Sequence, residues 1–447
     1  MKITIGLREK TMRTKEELKQ LACEAVDRKR DELVAFYESV YAEPELGYKE
    51  VKTSAKFQKF LDDLGYDYKT GLAITGVRSD VKGRSSDFKV AVMGELDAIL
   101  VRSHKDANPD TGAVHACGHA AQLASLAGVA AALQGSGIME DLDGDIVLLA
   151  TPAEEYIEMD YRNKLREEGK IDFLCGKAEM IREGVFDDID ASIMQHTTIN
   201  SPEYKAGATS SNNGFVGKLV HYIGKEAHGG AAPWDGINAL NAAMLGLMAV
   251  HAQRETFKDE DHIRFHPIIT KGGDTVNTVP ADVRIESYVR GNSPSAIIEA
   301  SEKIDRALKS GADAVGAQCE ILTLSGDFPC VQCEDLNDIM FENMKTLVGD
   351  KAVKTCPGFG GGSSDQGDVS SLIPSIQSYF TGAAGGLHQE SYRMTDVDNA
   401  VITAAKAMTM TAIDLLYDGA KLGKQVKANF DPYYKKDQYL KEWGHLD

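Results

Sequence analysis

Phe88-Lys89-Val90-Ala91-Val92-Met93-Gly94-Glu95-Leu96-Asp97 is the stretch on which the reading of this chain turns. A short apolar, β-rich run passes directly into a loop carrying two acids. The pattern recurs twice. The run 145–150 leads into Thr151-Pro152-Ala153-Glu154-Glu155, and the run 191–194 leads into Gln195-His196-Thr197. Such runs are expected to be short buried strands, and helical patterns lie between them. Leu123, Leu126, Ala127, Ala130 and Leu133 keep the spacing of one helical face. The stretches 15–41 and 164–184 add amphipathic helix, the second stopping at Glu183-Gly184. The class is α/β, with reactive groups at the carboxyl ends of strands, where open α/β sheets bind their ligands.

Residues 210–217 are small and polar, which predicts a linker. Beyond it the pattern is strand (218–224), helix (238–256), strand (263–270), strand (283–290), helix (295–311), strand (318–323). That β-α-β-β-α-β order is ferredoxin-like. The α/β pattern then resumes through 358–368 and 382–392. The expected organisation is a larger domain in two parts, 1–212 and 327–447, with a smaller unit, 213–326, inserted between them. No internal repeat is visible. The tail after Leu422 is charged and aromatic and is expected to dock on the surface.

The 447 residues suffice for two or three domains, and 43% hydrophobic with 26% charged residues is ordinary for a soluble protein. Lysine and arginine total 49 against 68 acids, a net charge of −19, and no basic stripe opposes that excess. Nucleic acid is therefore not an expected partner. The first ten residues lack the apolar core of a signal peptide, and no apolar run approaches a membrane span. Seven cysteines, an odd number, fit reduced thiols. The expectation is a cytoplasmic protein without a membrane partner. Cys330-Val331-Gln332-Cys333 has redox or zinc spacing, but no second pair accompanies it, so it counts as two incidental thiols.

His115-Ala116-Cys117-Gly118-His119 precedes the small-residue helix. Cys117 and His119, two residues apart, can chelate one metal only from a non-helical backbone, and Gly118 permits that. Glu154 and Glu155 are adjacent after a strand, so they point in different directions. One can ligate metal while the other takes a proton from water, as a hydrolytic metal site requires. His196 ends the third strand, and His388 follows the glycine-rich loop 382–387. Singly, either would be an ordinary structural histidine. With Cys117, His119 and one carboxylate they make five ligands. A closed zinc site needs four, so five suggests two metals sharing a bridge.

These motifs resemble those of the aminoacylase/carboxypeptidase G type of dinuclear metallohydrolases. The nearest branch is the amidohydrolases that include auxin-conjugate, hippurate and aminobenzoyl-glutamate hydrolases. Gly94-Glu95-Leu96-Asp97-Ala98, the His115–His119 cluster, Pro152-Ala153-Glu154-Glu155 and the segment 224–240 (GKEAHGGAAPWDGINAL) each look like a motif of that branch, in its order and over nearly the whole chain. Arg182-Glu183-Gly184-Val185-Phe186-Asp187-Asp188 and Asp365-Gln366-Gly367-Asp368-Val369-Ser370 look most like the aminobenzoyl-glutamate side; Asp365 and Asp368 could support the metal loop, although turn formation is the commoner explanation. The resemblance implies a mixed-sheet, zinc-peptidase-like catalytic domain with an inserted ferredoxin-like α+β lid and dimerisation domain. It implies Cys117, His119, Glu155, His196 and His388 as ligands of two divalent ions, zinc or manganese with cobalt possible, Cys117 bridging. Glu154 would be the general base and then the acid to the leaving amine. Asp97 would orient a ligand imidazole. His228 would stabilise the oxyanion, often across a dimer, and Asn277 and Arg290 would hold substrate. Ala120, Leu100 and the sequence His388-Gln389-Glu390 depart from the family pattern, where Asp, Pro and His-Asn-Pro are usual. None of the three removes an expected ligand.

The expected function is hydrolysis of an N-acyl or N-aroyl amino acid, aminobenzoyl-glutamate-like or hippurate-like, by metal-activated water. A dipeptidase or aminopeptidase of the same superfamily is the second reading, and an inactive peptide-binding subunit the third. A homodimer is expected, because the inserted sheet otherwise leaves an open edge.

Overall fold

The structure, a computed structural model, describes residues 13–444 and residue 446. Helices α1 (Lys15–Arg28), α2 (Arg30–Tyr41) and α3 (Val51–Leu64) precede strands β1 (Lys69–Leu72), β2 (Gly76–Val81) and β3 (Lys89–Glu95). A ribbon of β4 (Ile99–Leu100) and β5 (Ala113–Val114) follows, then α4 (His119–Ser136) and β6 (Asp145–Thr151). Helices α5 (Met159–Glu167) and α6 (Gly176–Glu183) lead to β7 (Ala191–Ile199) and β8 (Ala206–Asn212). The next unit contains β9 (Gly214–Ile223), α7 (Ala239–Ala252), β10 (Arg264–Lys271), β11 (Asp282–Gly291), α8 (Pro294–Val315) and β12 (Gln318–Ser325). The chain ends with α9 (Glu334–Val348), β13 (Val353–Gly360), α10 (Gln366–Ser370), β14 (Ser375–Ala384), β15 (Arg393–Met394), α11 (Ala404–Asn429) and α12 (Lys436–Glu442).

The large sheet is mixed, in the order β1-β2-β6-β3-β7-β14-β8-β13, with β15 on β14. Strands β6, β3, β7 and β14 are mutually parallel, so their carboxyl ends share one edge. All seven residues of β6 are buried, as expected for a strand covered on both faces. Helix α4 covers this region, and its residues are buried from His119 to Leu133. It is apolar all round, the pattern of an interior helix, and packs against α1, α2, α11 and β3. At Gly128 a Cβ would lie 2.6 Å from Ala405 Cβ, so glycine lets α4 and α11 approach closely.

The second sheet has the order β10-β11-β9-β12, antiparallel throughout, with α7 and α8 packed on it. This is the ferredoxin-like arrangement that the β-α-β-β-α-β order predicts. The expected linker at 210–217 is not one. Strands β8 and β9 occupy it, joined by Asn213 alone, because β8 pairs with β14 and β13 while β9 pairs with β11 and β12. Two long helical expectations also divide. The stretch 15–41 starts at a capping box, Thr14 with Glu17, and breaks at Lys29 (φ −100°, ψ 5°). The stretch 164–184 is interrupted after Glu167, where Gly169 is left-handed, and resumes at α6.

The tail is more deeply engaged than a surface extension. Tyr439 and Trp443 are buried, Trp443 Nε1 donates to the Gly326 carbonyl (3.1 Å), and Tyr439 Oη donates to Asp368 Oδ1 (2.7 Å). One segment, Asp398–Asn429, is long and apolar enough to cross a membrane, contrary to the sequence expectation. Its apolar window is 83% buried inside the protein, and its backbone leaves the helical conformation at Tyr417, Asp418, Gly419 and Ala420. It is a core helix by packing.

Candidate active site

The shared strand edge gathers the expected donors. Glu95 ends β3 and Asp97 follows it; Glu154 and Glu155 follow β6; His196 lies within β7; His388 follows β14. Gly118 is left-handed (φ 101°) and caps α4. A Cβ there would lie 2.9 Å from Thr197 Cβ, so both conformation and space call for glycine. Around that turn Cys117 and His119 come within reach of one point.

Three donor groups result, each with its ligand atoms within 4.8 Å of one another: Glu95, His119 and Glu154, and two built on one thiol, Cys117 with His119 and His196 and Cys117 with Glu155 and His388. Cys117 Sγ is 3.5 Å from His196 Nε2, and His388 Nε2 is 3.0 Å from Glu155 Oε1. The other ring nitrogens are engaged elsewhere. His196 Nδ1 is 2.9 Å from the Thr197 carbonyl, and His119 Nδ1 is 3.0 Å from the Asp97 carbonyl and 3.2 Å from Asp97 Oδ1. Donation through Nδ1–H leaves both Nε2 atoms as ligands. Asp97 Oδ2 also accepts the Glu155 backbone N–H (2.9 Å), so one carboxylate orients a donor from each shared-thiol group.

The site's charge fits divalent cations. Glu95, Asp97, Cys117, Glu154 and Glu155 are all buried together. Burial pushes the Cys117 thiol up, but the neighbouring His119 and His196 imidazoles outweigh it and hold the thiol well below its usual range. Burial, with the carboxylates of Glu95 and Glu155, pushes Glu154 well above the usual carboxyl range. His119 Nε2 and Glu95 Oε2 are 3.2 Å apart, yet neither makes a well-directed hydrogen bond. Crowded buried acids with an orphaned imidazole nitrogen are the chemistry a metal satisfies.

Several residues here escaped the sequence reading. Lys177 is fully buried, its Nζ 2.5 Å from both Glu95 Oε1 and Asp365 Oδ1. Asp365 also accepts the Lys177 backbone N–H (2.9 Å), a structural role beyond turn formation. Glu50, fully buried, accepts the Ala153 N–H (2.8 Å) and the Thr75 hydroxyl (2.8 Å). The signal was present for Glu95, which stands in the first acidic motif, and for Asp365, which stands in the 365–370 motif; Lys177 and Glu50 belong to no motif that the sequence reading used. His115 is buried with neither ring nitrogen hydrogen-bonded, and it belongs to none of the three donor groups. Cys330 and Cys333 join no donor group among the described residues.

A cavity of about 370 Å³ opens beside the donors. Glu154, Glu155 and His388 line it, as does Arg290 from β11. Arg290 Nη1 donates to Ser363 Oγ (2.5 Å), Nε lies 3.0 Å from His266 Nε2, and the guanidinium sits 5.0 Å from the Phe215 ring centre. His228 and Asn277 do not line this cavity. Both are exposed and stand together: His228 Nδ1 accepts from the backbone of Gly230 (3.2 Å) and Ala231 (3.0 Å), and the Asn277 carbonyl accepts from Gly229 (2.7 Å). One copy of the chain thus brings together seven of the ten expected positions, with Arg290 at the cavity and His228 and Asn277 apart.

Two donor groups sharing a thiol, with a further glutamate on the cavity wall, are the arrangement that metal-assisted hydrolysis requires. The chain belongs to peptidase family M20/M25/M40, whose model matches residues 100–413. It is 27% identical to a Xaa-Arg dipeptidase of Mus musculus, over 95% of this chain and 94% of that protein. It is 25% identical to an N-acyl-L-amino acid amidohydrolase of Geobacillus stearothermophilus, over 72% and 82%. The fold is shared with an aminobenzoyl-glutamate utilization protein of Klebsiella pneumoniae (TM-score 0.66, 17% identity, 89% of this chain and 99% of that one). It is shared also with a dinuclear metal-binding M20 peptidase of Bacillus subtilis (TM-score 0.63, 19% identity, 87% and 99%). The protein is a hydrolytic enzyme acting on amide bonds.

Proposed function

We propose that this enzyme cleaves the amide that joins an acyl or aminoacyl group to an amino acid with a free carboxylate. The carrying observation is that Glu155 and His388, two members of the shared-thiol donor groups, line one cavity with Glu154 and Arg290. Cys117, His119 and His196 would hold one divalent cation, and Cys117, Glu155 and His388 a second, zinc or manganese with cobalt an alternative. Such ions supply Lewis acidity, polarising a carbonyl and making water a better nucleophile near neutral pH.

The chain's own groups do the rest. Glu154, on the cavity wall and outside both shared-thiol groups, takes the proton from the attacking water and returns it to the leaving nitrogen. Asp97 keeps His119 and Glu155 in register. Arg290 receives the substrate carboxylate, its planar fork suited to two parallel hydrogen bonds. His228, with Asn277, serves the site of a second subunit, where it stabilises the oxyanion. Residues 213–326 act as the unit that closes on substrate and dimerises, and the enzyme works in the cytoplasm.

A dipeptidase reading is favoured by one observation: the relative named Xaa-Arg dipeptidase is matched over nearly its whole length. A panel of aminobenzoyl-glutamate, hippurate and simple dipeptides, assayed after defined metal loading, separates the two. Turnover of none of them by protein carrying stoichiometric metal overturns the hydrolase reading.

A further inference from the structure

Asp327 is the cavity residue that the mechanism leaves without a task. It lines the same space as Glu154 and Arg290, yet its side chain is 97% removed from solvent in an enclosed wall, being 3% exposed. Among the described residues, the Cys175 thiol is its side-chain hydrogen-bond partner, donating to Oδ1 at 3.1 Å. Among the described residues no lysine, arginine or histidine forms an ion pair with it. Asp365, close by, is paired directly with Lys177. Arg290, on the same wall, is occupied with Ser363 and His266. Arg290 and Lys177 reach Asp327 only as charges at a distance, and a buried carboxylate with no directly paired cation stays unfavourable unless something supplies one.

The location says which part of a substrate would do so. The Asp327 carbonyl accepts the Phe215 N–H (2.9 Å), and the Phe215 ring lies under the Arg290 guanidinium. Asp327 is therefore at the Arg290 end of the cavity. Tyr156, Phe215 and Tyr288 pack on one another there, with centroids 4.5–5.7 Å apart. Aromatic faces beside a carboxylate suit a cation on an aliphatic stem.

We propose that Asp327 is a specificity determinant that selects substrates whose carboxylate-bearing residue also carries a positively charged side chain, as in lysine, ornithine or arginine. The inference rests on the hydrolase reading above and narrows its substrate class. Arg290 takes the carboxylate, Asp327 the side-chain cation, and the scissile amide lies toward Glu154. Burial, with Asp365 nearby, pushes the Asp327 carboxyl up to about 8, and a bound cation opposes that push. A side chain with a second carboxylate, as in aminobenzoyl-glutamate, meets repulsion at the same point.

The test uses the metal-loaded full chain and matched dipeptides: alanyl-arginine and alanyl-lysine against alanyl-citrulline and alanyl-norleucine. The expected wild-type kcat/KM favours the cationic pair by about tenfold or more, mainly through KM, and Asp327→Asn lowers that cationic-to-neutral ratio by about tenfold. Asp327→Glu restores part of the ratio. Because the readout is a ratio within one preparation, partial misfolding does not alter it. A wild-type ratio near one, or a ratio unmoved in Asp327→Asn, overturns the proposal while leaving the hydrolase reading intact. Calorimetry of product binding, arginine against citrulline, decides it independently of turnover: equal affinities in wild type overturn it, and an arginine preference lost in Asp327→Asn supports it. If no amide is cleaved but that binding preference appears, it is the hydrolase reading that fails.

Discussion

Glu154 and its neighbour Glu155 both line the cavity but differ in their contacts: Glu155 meets His388 and its backbone is held by Asp97, while Glu154 lies with Glu95 and His119, outside both shared-thiol groups. Replacing Glu154 with Gln keeps the shape and removes the base. Metal content measured by elemental analysis should stay stoichiometric while kcat falls by about 10²–10⁴-fold; retained turnover excludes the proposed role. Asp327 supports a second prediction, on stability. Its carboxyl moves from an ordinary 3.8 up to about 8 in the folded state, through burial and Asp365. The folded protein thus holds this proton more tightly than the unfolded chain. That contribution is fully present below pH 4 and is lost as pH rises toward 8. Asp327→Asn should accordingly raise Tm, and by more at pH 8 than at pH 5, measured by differential scanning fluorimetry; a gain that shrinks with pH contradicts the sign. At this scale the sequence revealed ligands well and their supports poorly. His115 to His119 concentrates three metal-binding side chains in five residues, a signal no single acid can send. Lys177, Glu50 and Asp327 stand in no motif, and only the tertiary fold buries them.

The element that aims the two glutamates is the turn after β6. Ala153 holds a left-handed φ of 51°, unusual for a residue with a Cβ. It is gripped at both ends: its N–H by Glu50, its carbonyl by the Gly176 N–H (3.2 Å) and, less closely, by Arg162 Nη1 (3.4 Å). Glu50 sits at the start of α3, far away in sequence, so the turn is set by packing between elements. Glu50→Ala leaves a buried N–H unpaired and should destabilise the fold by about 1–3 kcal/mol. It should also weaken metal binding, read by competition with a chelator, because Glu155 loses its alignment. Glu50→Gln, which keeps an acceptor oxygen, should recover most of both; equal loss in the two variants counts against the clamp. The same scale explains which elements could be read in advance. Strands β3, β6 and β7 announce themselves through continuous apolar runs, and α7 and α8 through helical spacing with caps at Asn238 and Ser293. Strand β8 does not, because its small polar residues become a strand only between β14 and β13. The break at Lys29 likewise has no glycine or proline to mark it.

Across the whole molecule, the unsolved position is that of His228, exposed and outside the cavity that it is proposed to serve. The unit that carries it also presents an apolar face. Met244, Leu245 and Met248 stand out from α7, and Ile268 and Ile269 from β10, the edge strand of its sheet; Met248 is 67% and Ile268 61% exposed. Apolar side chains beside an open strand edge are what a second copy would cover. Light scattering should therefore give about twice the 48.5 kDa chain mass, and Met248→Glu with Ile268→Lys should give the single mass with activity lost. A further arrangement tests whether His228 crosses between subunits. His228→Ala and Glu154→Gln are each expected to be inactive alone. Mixed and allowed to exchange, half of the dimers would be hybrids, and each hybrid would have one site with both an intact Glu154 and a partner supplying His228. Activity should return to about a quarter of the wild-type value. If His228 instead serves its own chain's site, every hybrid site lacks one of the two residues, and mixing recovers nothing.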